Sequence, residues 1–459
     1  MPVIITILIA KLLLKLSRWL GRGGGSALPG LVAERLDPAI GAKLARNLSA
    51  GSIVITGTNG KTTTAKMVGQ ILGDAGEHLV SNRAGSNLSR GVVSALVEHA
   101  DWRGRFAQGA RGLFEVDEAA MPAVCAMVRP QELVVLNLFR DQLDRYGELD
   151  TTAKLIGKGI VAAGNAQLFL NADDPLVASL AVYAKPERVT FFGVDKAPAT
   201  KLTSDITADS NTCPICGRAL VYRHSFFGHI GHYRCKEGHF DRPKPAFAAS
   251  NITIAQDAIS GVVKIADTTE PVTIQLPLPG LYNLYNALAA TSLTVSLGID
   301  SAHVVQSLQQ VEAAFGRVEK LKLKGRTIYL LLVKNPTGFN QVIQTFLLQQ
   351  KQQNLLICIN DNSADGRDVS WLWDVAFEEL KPQQHRIAVS GIRANDMALR
   401  LKYADIPTAG VETNLAKALN QFVAQLPANG IGYIIPTYTA MLATRRRLGR
   451  LTRLKGMWQ

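Results

Sequence analysis

Lys61 and Thr62 stand directly behind two glycines in the run Gly57-Thr58-Asn59-Gly60-Lys61-Thr62-Thr63. An amine beside a hydroxyl at the mouth of a glycine turn is suited to polyphosphate chemistry. Backbone N–H groups of the turn cradle the anion, the Lys61 ammonium neutralises β/γ-phosphate charge, and the Thr62 hydroxyl sits on Mg²⁺. The elements that must hold these groups flank them. Ile53-Val54-Ile55 reads as a short buried strand, and residues 62–72 have the composition of a helix. Ile55 stands where the usual phosphate loop carries a glycine five residues before Gly60. The stretch is read as a nucleotide site.

Hard oxygen ligands follow. Glu115-Val-Asp117-Glu118 closes one expected strand (112–117), and Asn137-Leu-Phe-Arg140-Asp141-Gln142-Leu-Asp144-Arg145 follows another (133–138). Ligands of parallel sheets bind at the carboxyl ends of strands, where carboxylates suit Mg²⁺ on a triphosphate; Glu115 is the candidate metal ligand beside Thr62. Lys154 and Lys158, on a helix expected at about 151–163, are candidates for the same end of the sheet. Asn283 and Asn286 lie one helical turn apart after Pro279-Gly280, and their amides either read an adenine edge or cap the helix. In Phe315-Gly316-Arg317 the glycine frees the chain for Arg317 to reach phosphate. Further on, the strand 355–360 runs into Asp361-Asn-Ser-Ala-Asp365-Gly-Arg367-Asp368-Val-Ser-Trp371-Leu-Trp373, which is either a functional loop or a polar turn.

Cys213-Pro-Ile-Cys216-Gly217, a gap of 18 residues and Cys235-Lys-Glu-Gly-His239 outline a zinc ribbon. A closed structural site needs four ligands, so the expectation is zinc on Cys213, Cys216, Cys235 and His239, with Glu237, His232 and His229 as weaker candidates for the fourth place. Such a ribbon binds nucleic acid or staples a small insertion, and the lack of a Lys/Arg-aromatic face favours the staple. Cys125 and Cys358 sit in apolar stretches with no adjacent histidine or glycine elbow, so this chain lacks the nucleophile of a glutaminase.

The organisation follows from length and pattern. At 459 residues the chain exceeds one core. Strands alternating with helices over residues 51–320 indicate an α/β domain with a central parallel sheet, interrupted by the ribbon at about 205–245. A second Rossmann-like α/β domain is expected over 321–459, and residues 1–50 form an amphipathic helix and a linker. The net charge of +13 favours an anionic partner. Five cysteines without a secretion signal suit a reducing, cytoplasmic compartment. In the first helix Lys11, Lys15, Arg18 and Arg22 share one face and Leu12, Leu13, Leu16, Trp19 and Leu20 the rest, with too short an apolar run to span a bilayer. It fits either the inner membrane surface or the protein's own body. The tail repeats the choice, with Arg445, Arg446, Arg447, Arg450, Arg453 and Lys455 beside Leu448, Leu451 and Leu454.

Together these residues resemble the Mur ligases. Gly57-Thr-Asn-Gly-Lys61-Thr, Asn171-Ala-Asp-Asp174-Pro, Gly280-x-x-Asn283-x-x-Asn286-Ala and Phe315-Gly-Arg317 match that superfamily's ATP-binding signatures in order. The internal ribbon, Asn137-x-Phe-Arg-Asp-Gln-Leu-Asp-Arg-Tyr-Gly, Lys334-Asn-Pro-Thr-Gly and Asn360-Asp-Asn-x-Ala-Asp-Gly-Arg-Asp368-x-Ser-Trp are similar to the MurT-like branch, the synthetase subunits of lipid II isoglutaminyl synthase. The resemblance implies ATP-dependent amidation, through an acyl phosphate, of the α-carboxyl of D-glutamate in the lipid II stem peptide. It also implies a separate GatD-type glutaminase partner, whose Cys–His pair Asp368 would complete, and no nucleic acid. The chain departs from the pattern at Gly238, where a second ribbon cysteine is usual. Gln142 replaces a metal-binding histidine of many amino-acid-adding ligases but fits the amidating branch, and Lys158 falls near their carbamylated lysine. The alternatives are an amino-acid-adding Mur or folylpolyglutamate-type ligase, and a zinc-ribbon nucleic-acid module that uses ATP as a switch.

Overall fold

The structure is a computed structural model that describes residues 2–19, 27–82, 86–140, 149–198, 211–255, 257–266, 270–312 and 318–449. Three helices, α1 (Val3–Trp19), α2 (Leu28–Leu36) and α3 (Ile40–Ala45), lead into a nine-stranded sheet. Its first six strands are β1 (Ser52–Thr56), β2 (Leu79–Ser81), β3 (Arg111–Glu115), β4 (Glu132–Val135), β5 (Gln167–Asn171) and β6 (Val189–Val194). These run parallel in the spatial order β6-β5-β4-β1-β3-β2. Beyond the hairpin of β7 (Leu220–Phe227) and β8 (Ile230–Cys235), β9 (Phe247–Ile254) joins β6 in parallel. The sheet then finishes antiparallel through β10 (Ile259–Ile265) and β11 (Val272–Leu276).

β1 is buried along its whole length, the state a near-continuous β-branched run serves in a parallel sheet. Alternation sends Ile53 and Ile55 to one face and Val54 to the other. On the first face they meet Met67, Val68 and Ile71 of α4 (Lys61–Asp74) and Leu288 of the helix Leu281–Ser296. On the second, Val54 packs with Leu96 of α5 (Ser89–His99), Val124 of α6 (Met121–Val128) and Ile156 of the helix Leu149–Ala163. Two helical layers therefore clamp the strand that ends in the glycine loop.

A second sheet follows from Glu319. It has the order β12-β13-β17-β14-β15-β16, built from β12 (Glu319–Leu323), β13 (Arg326–Leu330), β14 (Asn354–Cys358), β15 (Arg386–Ser390), β16 (Thr408–Glu412) and β17 (Ile431–Pro436). Only the edge strand β12 is antiparallel to its neighbour. Behind it, Arg400 on the helix Ala394–Tyr403 is buried and donates to the carbonyls of Leu372 and Val375 while pairing with Glu378. That guanidinium straps the chain after Asp368 onto the domain.

The pattern missed β6, β12 and β16. Lys11 is not on an outward face: its Nζ donates to the carbonyls of Glu98 (3.1 Å) and Ala100 (2.5 Å) at the end of α5, a favourable place for a cation. Leu8, Leu12 and Leu16 point outward instead. Arg445 of the tail is tied to Glu319 at 2.9 Å; Arg22, Arg450, Arg453, Lys455, Leu20, Leu451 and Leu454 lie outside the described residues. Among those residues no helix is long and apolar enough to cross a membrane.

Candidate active site

β1 delivers the chain to Gly57 (φ +127°) and Gly60 (φ +93°), and the second of these starts α4 from the left-handed region that favours glycine. Both glycines are also needed for room. A Cβ on Gly60 would meet Asn286 Oδ1 at 2.1 Å, and one on Gly57 would meet the carbonyl of Asn137 at 2.9 Å. The loop is held from the neighbouring strand end. Thr58 N donates to Asn137 O (2.9 Å), Asn59 N donates to Asn137 Oδ1 (2.9 Å), and Asn137 Nδ2 returns a bond to Asn59 O (2.9 Å). The Thr58 hydroxyl donates to Phe139 O and accepts from Phe139 N. Replacing Gly60 by alanine is expected to weaken ATP binding by about tenfold or more, because both φ and the Asn286 contact oppose it. Calorimetric titration reads this, and unchanged affinity would remove the loop from the nucleotide site.

Lys61 is buried, with Nζ 3.2 Å from Glu118 Oε2 and 2.5 Å from the carbonyl of Gly57. Thr62 is exposed at the head of α4 and its hydroxyl donates to Glu115 Oε1 at 3.1 Å. The hydroxyl and carboxylate expected to share Mg²⁺ are thus side by side, and their hard oxygens fit that ion. Thr63 is buried one position further on. Glu115 is braced by Asn82, which bonds both its N–H and its carbonyl. The positive end of a 14-residue helix, a lysine and a hydroxyl–carboxylate pair converge on one spot, an arrangement for binding and transferring a phosphoryl group.

Other candidates fall elsewhere. Asn283 is buried and its amide donates to Pro279 O (2.7 Å), just ahead of a helix whose N-cap, Gly280, makes no side-chain bond, while Asn286 props Gly60. Lys154 and Lys158 are exposed on their helix. Arg317, with Phe315 and Gly316, and Asp141, Gln142 and Asp144 lie outside the described residues. Sequence reasoning did not assign roles to Asn137, Glu118 or Asn335, whose amide reaches Asn59 Oδ1 at 3.3 Å from the second domain. Arg140 reaches the same domain, 3.4 Å from Asp374. Their sequence signals are polar runs after strands and, for Asn137, Arg140 and Asn335, membership in the motifs that resemble the MurT-like branch.

The loop after β14 is built on Asp365, which is buried and accepts from the N–H and hydroxyl of Thr439. Asp361 faces Arg393 at 3.7 Å. Asp368 is half-buried on the rim of a depression of ≈ 330 Å³ shared with Arg367, Trp373, Arg393 and Asp396, and one oxygen accepts from Ser370 N at 2.8 Å.

In the insertion, Cys213, Cys216 and Cys235 bring their sulfurs within 4.8 Å of one another. Cys216 and Cys235 are 3.6 Å apart, near the edge of about 3.8 Å expected for thiolates arranged tetrahedrally round zinc. Burial works against the Cys235 thiolate, but the N–H groups of His239 and Glu237 and the two neighbouring thiols bring its pKa down to about 7. The donor set fits zinc. The three sulfurs cluster without the side chain of His239, the expected fourth ligand, whose backbone N–H faces the Cys235 sulfur. Glu237 pairs with Arg218, and His232 bonds the carbonyl of Val194. His229, at the hairpin tip, is fully buried against Phe139, 3.3 Å from Asp174 Oδ2. Asp174 itself accepts from Leu138 N and caps the helix Pro175–Ser179. The insertion therefore ends on the same strand-end loop that holds Thr58 and Asn59.

Comparison with known proteins places this geometry. Residues 55–294 match the Mur ligase middle domain family and residues 332–441 the MurT ligase C-terminal family. Lipid II isoglutaminyl synthase (glutamine-hydrolyzing) subunit MurT of Staphylococcus aureus is 33% identical over 444 residues, covering 96% of this chain and 97% of that protein. The subunit of the same name from Streptococcus pneumoniae is 32% identical, covering 93% of each. A solved pseudomurein peptide ligase type C from Methanothermus fervidus shares the fold, with a TM-score of 0.70 at 20% identity over 89% of this chain and 80% of its own.

Proposed function

Since the chain belongs to the MurT family of the Mur ligase superfamily, we propose that it is the ATP-consuming subunit of a lipid II isoglutaminyl synthase, working in peptidoglycan synthesis. The observation that carries this reading is the convergence of Lys61, Thr62 and Glu115 at the head of α4. The α-carboxylate of D-glutamate in the stem peptide is a poor electrophile. Transfer of the γ-phosphoryl group of ATP to one of its oxygens makes that oxygen a leaving group. Ammonia then attacks the carbonyl carbon, phosphate departs and a carboxamide remains. Lys61 balances charge on the transferring group, and the positive N-terminal end of α4, which starts at Gly60, orients it. Thr62 and Glu115 would hold Mg²⁺, which supplies charge neutralisation across the β/γ-phosphates. Arg317 is retained in the proposal on the resemblance of its motif alone.

The two cysteines outside the insertion support an external ammonia source. Burial pushes the Cys125 thiol up to about 12 and raises that of Cys358 as well, so neither supplies a thiolate at neutral pH. A separate GatD-type glutaminase is the proposed partner, with Asp368 completing its Cys–His pair. The reaction is assigned to the cytoplasmic face of the membrane, where lipid II is built.

The test is incubation of the purified chain with Mg-ATP and lipid II plus either ammonium or glutamine, with carboxamide formation read by mass spectrometry. Ammonium is expected to suffice alone, and glutamine only after a glutaminase subunit is added. Addition of an amino acid instead of ammonia would overturn the assignment in favour of an amino-acid-adding ligase.

Zinc on Cys213, Cys216 and Cys235 would staple the insertion. About one zinc per chain is expected by elemental analysis, and Cys213→Ser should lose it together with several degrees of melting temperature. A chain purified without zinc, whose melting temperature is unmoved by added zinc, would refute the staple.

A further inference from the structure

α1 meets the body through Thr6, Ile7 and Ala10, all fully buried. Over residues 3–16 its far side is mostly apolar. Ile4, Ile5, Leu8, Leu12 and Leu16 form a continuous outward stripe, from 39% exposed at Ile4 to 68% at Leu12, with exposed Lys15 set between the last two turns. Loop 101–105 runs alongside: Gly104 packs on Val3 and Ile7, and the carbonyl of Ala100 accepts from Lys11. From that loop Trp102 projects half-exposed, with the Arg103 guanidinium 4.3 Å over its ring. Five large aliphatics in a row are too many to be the scattered apolar residues of an ordinary surface.

We propose that this face of α1, with Trp102, seats in the interfacial layer of an anionic lipid bilayer. The chemistry is complementary, and the one carboxylate of the loop, Asp101, is paired with Arg105 at 3.0 Å. Aliphatic side chains enter the acyl boundary, a tryptophan stacked with arginine suits the headgroup level, and Lys15 and Arg103 meet lipid phosphate. α1 contains no acidic residue. A second copy docking through the same face would oppose Lys15 and Arg103 with their own like charges, because a two-fold contact pairs a patch with itself. The inference goes beyond the reaction proposed above and stands without it.

The test is flotation of the full chain with vesicles of equal parts phosphatidylglycerol and phosphatidylcholine, and with phosphatidylcholine vesicles alone. Binding should be about tenfold stronger to the anionic vesicles and fall with added salt. Leu8→Gln with Leu12→Gln should reduce the bound fraction about tenfold at an unchanged melting temperature, since both positions are exposed. No flotation with anionic vesicles, or equal flotation of the double variant, would overturn the proposal. So would a dimer in sedimentation equilibrium that the double variant dissociates, which would assign the stripe to a second copy.

Discussion

Lys61→Ala is expected to lower ammonium-driven amidation about a thousandfold or more, the scale on which removal of a cationic group from a transferring phosphoryl acts. The variant carries a second effect that must be separated from the first. Lys61 and Glu118 are a buried pair, with side chains 9% and 8% exposed. Removing the lysine leaves the Glu118 carboxylate facing no ammonium in a dry site, and breaking such a pair costs about 3 kcal/mol. A fall in melting temperature should therefore accompany the loss of rate. Lys61→Ala combined with Glu118→Gln removes the unpaired charge, so stability should recover while the rate stays low. If the double variant regained the rate, Lys61 would be a structural counter-ion and its place in phosphoryl transfer would be lost. The pair also predicts that Lys61 exchanges the Glu118 carboxylate for phosphate when nucleotide binds. Glu118→Gln alone should then preserve turnover to within about tenfold.

Asp368→Asn should divide the two ammonia sources. Glutamine-driven amidation in the presence of the glutaminase subunit is expected to fall about a thousandfold, while ammonium-driven amidation by the same variant stays near the parent rate. The size follows from catalytic groupings in which a carboxylate orients a histidine: the amide keeps the shape but not the charge or the acceptor pattern. Asparagine retains an oxygen for the N–H of Ser370, and Arg400 still straps the following turn to its carbonyls, so the loop should keep its form. Asp365→Asn is the contrasting variant. That carboxylate is buried on Thr439, and its loss should lower stability and disturb both activities together. Parallel loss of both ammonia sources in Asp368→Asn would place Asp368 in the synthetase chemistry and leave the glutaminase contact unsupported.

Much of this was legible in one dimension because the forces involved are local. A β-branched run, two glycines and Lys-Thr specify a strand, a turn that only glycine enters easily and a helix N-terminus, all within a dozen residues. The alternation of apolar runs with helical stretches likewise specified parallel sheets, since strands buried on both faces must be apolar throughout. The segments 189–194, 319–323 and 408–412 were missed for the complementary reason: all are strands not buried along their whole length, whose pairing is set by their neighbours. The clustering of the Cys213, Cys216 and Cys235 thiols was legible from spacing, whereas the backbone N–H that His239 turns toward the Cys235 sulfur was not, because only the local turn sets it.

By itself, then, the sequence determined the phosphate loop, the class of fold, the clustering of the three cysteines and the family. The tertiary structure alone decided the partners: Glu118 for Lys61, Asn137 for Asn59, Asn286 beneath Gly60 and His229 against Asp174. Each joins residues more than fifty positions apart. Such contacts depend on which strand ends the sheet order brings together, and order in space is a property of the packed whole that no local propensity encodes.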